Sequence, residues 1–472
     1  MSLKSGLLLL LLFPFCVASP QVSNPRHPAE WEEIRGVVMG FRYFKNPNVS
    51  WDEAFDPFIK TARACIDEGI DFYIVELPES QSKNPVPIRL DTVFSNRNID
   101  SPLVHIITID SLSNTLPWVR DHGMYQIYQN EVGDRLFFNF PDDQTGRFMA
   151  KFLDIPSEII HSEMADNYYT DGGNFLTDGH GTFNIAATNT SEKLPAGLLE
   201  EYDYFYQNFG IKKTLNLSTS FVHVDYFIKL IDEETALIAY IPNSNYDISI
   251  DEFYDDQHAI DQAVISISQQ LESAYGREIK FVPIQNAPTS YDRDTKIVLN
   301  TSKATYINSI IINKTVLVPQ YDVKLYDERA LEAYRKAMPG YNIVGVACRQ
   351  YAHLAGAIHC LTHEIYADNP IYVRHKWLQG KLSHHPGGYP VNVIAKSSDG
   401  IQTVNLHWRA NEQGEFSSVP MVSTKNDQFQ ATIPAAKSGT PIDYYIEIQN
   451  NNGKRIHKPQ VAPTDSYSFS IQ

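Results

Sequence analysis

The run Gly356-Ala357-Ile358-His359-Cys360-Leu361-Thr362-His363-Glu364 sets one thiol among three side chains able to carry a proton. The small residues before it permit close approach of a ligand. A free cysteine is most often a small buried hydrophobe, and that reading stands for Cys360 until other residues are weighed. A thiol attacks as its thiolate, which at neutral pH needs a positive neighbour. The segment His223-Val224-Asp225 adds a histidine and an acid. Read as part of a strand over residues 221–230, side chains at i and i+2 share a face, so His223 and Asp225 are expected to point the same way. Burying them is costly unless they pair with something; a structural His–Asp hydrogen bond, or half of a metal site, would also account for the motif. Trp118-Val119-Arg120-Asp121-His122-Gly123 adds a second acid. Asp121 is expected in a loop after a strand over residues 105–110, with Arg120 open to a surface ion pair. Trp118 offers an aromatic face that can cover a planar cation.

Taken together, two acids, a histidine and a thiol suit one chemistry. A guanidinium is planar, permanently charged and offers a fork of N–H donors. Two carboxylates hold it through charge-assisted hydrogen bonds. Its carbon is then open to a thiolate from above, and a histidine can protonate the departing amine and later activate water. A Cys–His acyl transferase or peptidase would use Cys360 and His223 without needing two clamping acids. A secreted binding module with an unreactive Cys360 is a third class.

The elements that must position these residues follow from the hydrophobic pattern. Five times, a helix-like stretch precedes a short β-rich run: 50–68 then 72–75, 144–152 then 158–160, 191–209 then 214–217, 257–275 then 279–282, and 327–337 then 341–347. Strand pairs lie between them, such as 227–230 with 236–241 and 309–312 with 316–318. Ser50 is placed to cap the first helix, and Gly69 and Gly276 to end the first and fourth. Five helix–strand units joined by strand pairs predict a pseudo-repeated α/β array. From about Tyr389 the helix signal stops. Val404, Leu406 and Trp408 alternate with polar residues, as do Phe429, Ala431 and Ile433, then Ile442, Tyr444, Ile446 and Ile448. Asp399-Gly400 and Asn452-Gly453 are turn signals. This tail, residues 389–472, reads as a small immunoglobulin-like β-sandwich, joined through a linker over 381–390 whose histidines are expected to be solvated.

The chain of 472 residues carries 39 Lys and Arg against 56 Asp and Glu, a formal charge of −17. That length exceeds one ordinary domain. The acidic balance and the lack of a basic run argue against nucleic acid as a partner and weakly favour cationic substrates. Lys4, an apolar run from Gly6 to Phe15 and the small residues Cys16-Val17-Ala18-Ser19 form the pattern of a signal peptide over residues 1–18, so an exported protein, secreted, periplasmic or at the cell surface, is expected. The run is short for a bilayer span, and no other stretch is long and apolar enough. Cleavage would leave Cys65, Cys348 and Cys360, an odd count that flags a free thiol. Cys65 falls on the apolar face of a helix and Cys348 at the end of an apolar strand, both structural positions; a disulfide between them cannot be read from sequence.

The residues match a family pattern. Pro28-Ala29-Glu30-Trp31, Trp118-Val119-Arg120-Asp121, Asp171-Gly172-Gly173-Asn174 with Asp178-Gly179-His180-Gly181-Thr182, His223-Val224-Asp225, Asn308-Ser309 with Val318-Pro319-Gln320, and Gly356 to Cys360 follow one another as in the agmatine deiminase and bacterial peptidylarginine deiminase family. The chain resembles these guanidino-group-modifying enzymes from Pro28 to Cys360. The resemblance implies an α/β, five-bladed pseudo-symmetric propeller (pentein) over residues 25–380, followed by the all-β tail. It implies that Cys360 is the nucleophile forming a thiouronium intermediate, His223 the general acid and base, Asp121 and Asp225 the guanidinium clamp, Trp118 a pocket aromatic and Asn308 a polar residue near the nucleophile. Asp171 and Asn174 would lie in a glycine-rich turn of the pocket, for which a purely structural turn serves as well. It implies no metal or cofactor. The leader and the tail resemble the secreted peptidylarginine deiminases, so peptidyl arginine is the favoured substrate, giving a citrulline-like product and ammonia. The alternative is agmatine, converted to N-carbamoylputrescine on the way to putrescine. The secreted type carries an arginine pair after the first clamp acid that grips a C-terminal carboxylate. Here that stretch reads Phe138-Asn139-Phe140-Pro141-Asp142-Asp143, a departure that sets C-terminal arginine specificity in question. Neither the oligomeric state nor the role of the tail follows from the resemblance.

Overall fold

Ser50 starts the first helix as its composition requires. In a computed structural model, which describes residues 24–42, 49–78, 89–109, 117–139, 144–159, 172–188, 207–218, 223–242, 256–291, 298–411 and 414–472, the Ser50 hydroxyl accepts from the Glu53 N–H at 3.2 Å. Asp52 and Glu53 occupy the first turn, where the helix dipole favours acids. The helix Trp51–Glu68 buries Phe55, Phe58, Ile59, Ala62 and Cys65, and ends at Gly69, whose φ of 70° suits a residue without a Cβ. It then delivers the strand Asp71–Glu76, buried through Phe72–Val75 between two parallel neighbours, Ile34–Phe41 and Val104–Thr108.

The same construction recurs in four more sheets. Each has a short antiparallel pair and a third strand parallel to the second. They comprise Tyr125–Tyr128, Arg135–Asn139 and Ser157–Ile159; Leu176–Thr177, Asn184–Thr188 and Thr214–Ser218; Ile228–Leu230, Thr235–Tyr240 and Lys280–Gln285; and Ile310–Ile312, Thr315–Gln320 and Asn342–Ala347. Helices Gln144–Phe152, Asp256–Gln270 and Lys324–Ala337 make three of the parallel crossovers. The first sheet completes the pattern from the far end of the chain. Thr362–Tyr366 pairs antiparallel with Ile34–Phe41, setting Val38 opposite His363 and Met39 opposite Thr362. The two ends of the array are thereby joined in one sheet.

Where they are described, the expected elements match the observed ones closely, with two differences. The helix expected at 191–209 lies mostly outside the described residues. The helix expected at 257–275 stops at Gln270; Gly276, with φ 66°, turns the chain six residues beyond it rather than capping it. The strand expected over 221–230 is shorter. His223 is extended, Val224–Tyr226 form one 3-10 turn and only Ile228–Leu230 pair as strand; Phe221 and Val222 lie outside the described residues.

The tail has two sheets facing a common core. In one, Tyr389–Lys396 lies between Tyr372–Arg374 and Gln428–Ile433, with Val422–Ser423 beyond. In the other, Pro441–Asn450 pairs with Ile401–Ala410, Arg455–Lys458 and Tyr467–Ile471, and Ser417–Pro420 and Gly380–Leu382 extend its edges. Val391, Val393 and Ile433 of the first meet Leu406, Ile446 and Phe469 of the second, the inward alternation of two packed sheets. Gly400 and Gly453 hold positive φ at the two expected turns. β-structure begins earlier than expected, at Tyr372, and the presumed linker contributes strand residues at both ends, leaving 383–388 as connection with His384 and His385 exposed. Cys65 and Cys348 are buried and free, so no disulfide joins them.

Candidate active site

Every unit of the array contributes a residue from the short segment just before its first strand. Asp121 ends the 3-10 turn Val119–Asp121 before Tyr125–Tyr128. Asn174 ends the turn Gly172–Asn174 before Leu176–Thr177. His223 and Asp225 precede Ile228–Leu230, Asn308 precedes Ile310–Ile312, and Cys360 lies in the turn Ile358–Leu361 before Thr362–Tyr366. A strand would send alternate side chains to opposite faces. A single tight turn at each position instead lets neighbouring residues be aimed separately. The shared-face argument for His223 and Asp225 is therefore replaced: they straddle the start of a 3-10 turn.

The turns bring the expected residues together. Cys360 Sγ lies 3.2 Å from Asn308 Nδ2 and 3.6 Å from Asp225 Oδ2. Asn308 also accepts the Cys360 N–H at 3.4 Å and donates to the Asp225 carbonyl at 3.4 Å, so one amide holds the backbone of both residues. His223 Nδ1 stands 3.9 Å from Asp121 Oδ1. Gly173 makes room for that imidazole, since a Cβ there would lie 2.4 Å from His223 Nδ1. Gly356 does the same for Trp118, whose ring would meet a Cβ at 2.3 Å. Asn174 is fully buried, and Asp171 lies outside the described residues.

Electrostatics set the resting state of the thiol. Cys360 is 4% exposed. Burial, then the Asp225 and Asp121 carboxylates, push it well above its ordinary value, against the Ala357 N–H and the Asn308 amide. Asp225 Oδ1 is buried without a hydrogen-bond partner among the described residues. The site thus sets the thiol beside two carboxylates that disfavour its ionisation.

Several functional neighbours carried little signal in the sequence. Arg120 is not a surface group. It is buried and donates from Nη1 and Nη2 to the two oxygens of Glu364 at 2.8 and 2.9 Å, and from Nε to the His359 carbonyl at 3.3 Å. That pairing removes Glu364 from the proton carriers expected around Cys360. His363 is also structural: burial and Arg120 hold it down at about 4. His359 lies between Asp225 and Glu30, and Glu30 also takes Lys229. Glu30, His359 and Glu364 could in principle gather a metal ion, but Arg120 and Lys229 already neutralise the two carboxylates. A cavity of about 530 Å3 opens between the array and the tail and is lined by none of these residues.

Known proteins with this architecture define a class first. The C. jejuni agmatine deiminase superposes with a TM-score of 0.54 at 18% identity, over 73% of this chain and 96% of that one. The agmatine deiminase of Enterococcus faecalis gives 0.53 at 18%, over 72% and 96%. A Latilactobacillus sakei relative that carries an agmatine deiminase name is 24% identical over 385 residues, 74% of this chain and 98% of that protein. The fold is that of the penteins, and the class is that of hydrolases acting on the C–N bonds of linear amidines. Within it, the profile of the Porphyromonas-type peptidyl-arginine deiminase family matches residues 26–365, and the chain belongs to that family. It is a guanidino-group deiminase. Among the described residues, no helix is long and apolar enough to cross a membrane.

Proposed function

We propose that the chain deiminates a small guanidine lacking a carboxylate, of the agmatine type, to a ureido product and ammonia. The observation that carries this reading is the thiol flanked by Asp121 and Asp225, with Asp225 Oδ1 unpartnered among the described residues. A guanidinium bound to both acids cancels the charges that keep the thiol protonated. Cys360 then gives its proton to His223, and its sulfur bonds to the guanidinium carbon. His223 donates a proton to one nitrogen, the C–N bond breaks and ammonia leaves. The resulting thiouronium is attacked by water that gives a proton to His223. The C–S bond breaks, and the ureido product and the thiol are restored. Trp118 stacks on the planar group.

The substrate assignment departs from the peptidyl arginine favoured by the leader and tail. Relatives along nearly their full length carry agmatine deiminase names, and Asp142 and Asp143, which lie outside the described residues, stand in sequence where a carboxylate grip would need cations. Five equivalent sheets support a five-bladed propeller over residues 25–380, and the two facing sheets of 389–472 support an immunoglobulin-like tail. Residues 1–18 support export with a mature chain beginning at Ser19, which N-terminal sequencing of the protein from its native host would test. The decisive assay measures ammonia release from agmatine, free arginine, and peptides with internal or C-terminal arginine. Agmatine is expected to be turned over fastest, and Cys360→Ala to be inactive with an unchanged circular dichroism spectrum. Preferred turnover of a peptide would overturn the substrate reading, and an active Cys360→Ala the mechanism.

A further inference from the structure

Behind Asp225 lies a line of buried ionisable groups for which the reaction above has no use. His359, 1% exposed, puts both ring nitrogens against carboxylates: Nδ1 is 2.8 Å from Asp225 Oδ2 and Nε2 is 2.8 Å from Glu30 Oε1. Each nitrogen lies within hydrogen-bond distance of a carboxylate oxygen, so the ring is held from both sides. Glu30 is fixed in turn by Lys229. Burial works against ionised Glu30, but the His359 and Lys229 charges hold it well below the usual carboxylate range. Arg120, paired with Glu364, anchors the His359 backbone through its carbonyl. This line exists because Ile34–Phe41 and Thr362–Tyr366 share a sheet, which sets Glu30, a few residues before one strand, beside His359, just before the other.

The consequence falls on Asp225. Its Oδ2 receives His359 at 2.8 Å and the thiol at 3.6 Å, while its Oδ1 receives nothing from the described residues. We propose that His359, clamped by Glu30, is a positioning residue of the deimination: it captures Asp225 Oδ2 and thereby presents Oδ1 to the guanidinium. A carboxylate free to rotate would offer either oxygen, and an error of about 1 Å in such a clamp is costly. This rests on the clamp reading of Asp225 given above.

The test uses the full chain and three variants. In His359→Asn the side-chain amide sits where Nδ1 was and still donates to Asp225. In His359→Gln it reaches toward Glu30 instead. His363→Gln, at a buried histidine facing the Glu364 carbonyl, is the structural control. For ammonia release from agmatine, His359→Asn is expected to keep kcat/KM within about tenfold of the parent and His359→Gln to lose on the order of 100-fold, with His363→Gln close to the parent. Without substrate, the pH midpoint for alkylation of Cys360 by iodoacetamide is expected to rise in His359→Gln, which frees Asp225 Oδ2 beside the thiol, and to stay near the parent in His359→Asn and His363→Gln. Equal losses in His359→Asn and His359→Gln, or a midpoint that His359→Gln does not move, would overturn the proposal. If the parent releases no ammonia from agmatine, the substrate reading fails, and the alkylation series alone decides the role of His359.

Discussion

At the scale of single residues, the site stores its reactivity as unmet charge. The Asp121 and Asp225 carboxylates raise the Cys360 thiol and are the same groups that should bind the cation. Removing one of these charges should therefore separate two properties. Asp121→Asn is expected to shift Cys360 alkylation to lower pH, because a charge opposing the thiolate is gone, while deimination of agmatine falls by at least about 100-fold because half of the clamp is gone. A midpoint that rises or stays constant would show that Asp121 does not govern the thiol. The sequence singled out Cys360, His223, Asp121 and Asp225 by their chemistry, and the structure places Cys360 beside Asp225 and His223 beside Asp121. Glu30 and His359 stood in quoted motifs, yet nothing local distinguishes a positioning pair from an ordinary acid and histidine.

At the scale of elements, the turns before the strands do the aiming, and buried ion pairs hold the turns. Arg120 ties Val119–Asp121 to the strand Thr362–Tyr366 through both oxygens of Glu364. Burial opposes ionised Glu364, and Arg120 holds it below its ordinary value. Breaking such a pair leaves a charge buried without compensation. Glu364→Gln is expected to destabilise the chain by about 3–5 kcal/mol, read from the urea midpoint, and to lower kcat through displacement of Asp121. Helix periodicity and capping located Trp51–Glu68, Gln144–Phe152 and Lys324–Ala337 to within a few residues. The 3-10 turn Val224–Tyr226 was missed because its residues alternate as a strand would. Three residues are too few for a period, and packing against the neighbouring turns decides their conformation.

At the scale of the whole molecule, buried histidines make stability depend on pH. Burial holds His27, His363 and His375 at about 4, against an ordinary value of 6.5. Between those values the unfolded chain takes up protons that the folded chain refuses. The contribution is fully present above pH 6.5 and is lost as pH falls toward 4, by up to about 3 kcal/mol per histidine. Tm is expected to drop steadily over that window, and a flat profile would contradict the burial of these groups. The tail is tied to the array by a second device. Lys458 of the strand Arg455–Lys458 meets Glu233 at 2.5 Å, where Glu233 is 2% exposed and also takes Tyr275 and His180. Arg277 donates to the Trp377 carbonyl at 2.6 Å and lies over its ring. Lys458→Met is expected to cost about 3–5 kcal/mol and to make the 383–388 connection more sensitive to limited proteolysis; unchanged cleavage would show that the tail is held by other contacts.

By itself the sequence determined the kinds of element, their order and which side chains carry reactive chemistry. Periodicity, caps and turn residues act over a few positions, and a thiol, an imidazole and two carboxylates carry their chemistry wherever they stand. Only the tertiary structure decided which of them meet. It paired the first strand of the array with the last, so that Glu30 reaches His359 across 329 residues. It also turned Arg120 from a surface charge into a buried support and left one oxygen of Asp225 without a hydrogen-bond partner among the described residues. Those outcomes depend on desolvation and on geometry between distant segments, neither of which a local pattern records.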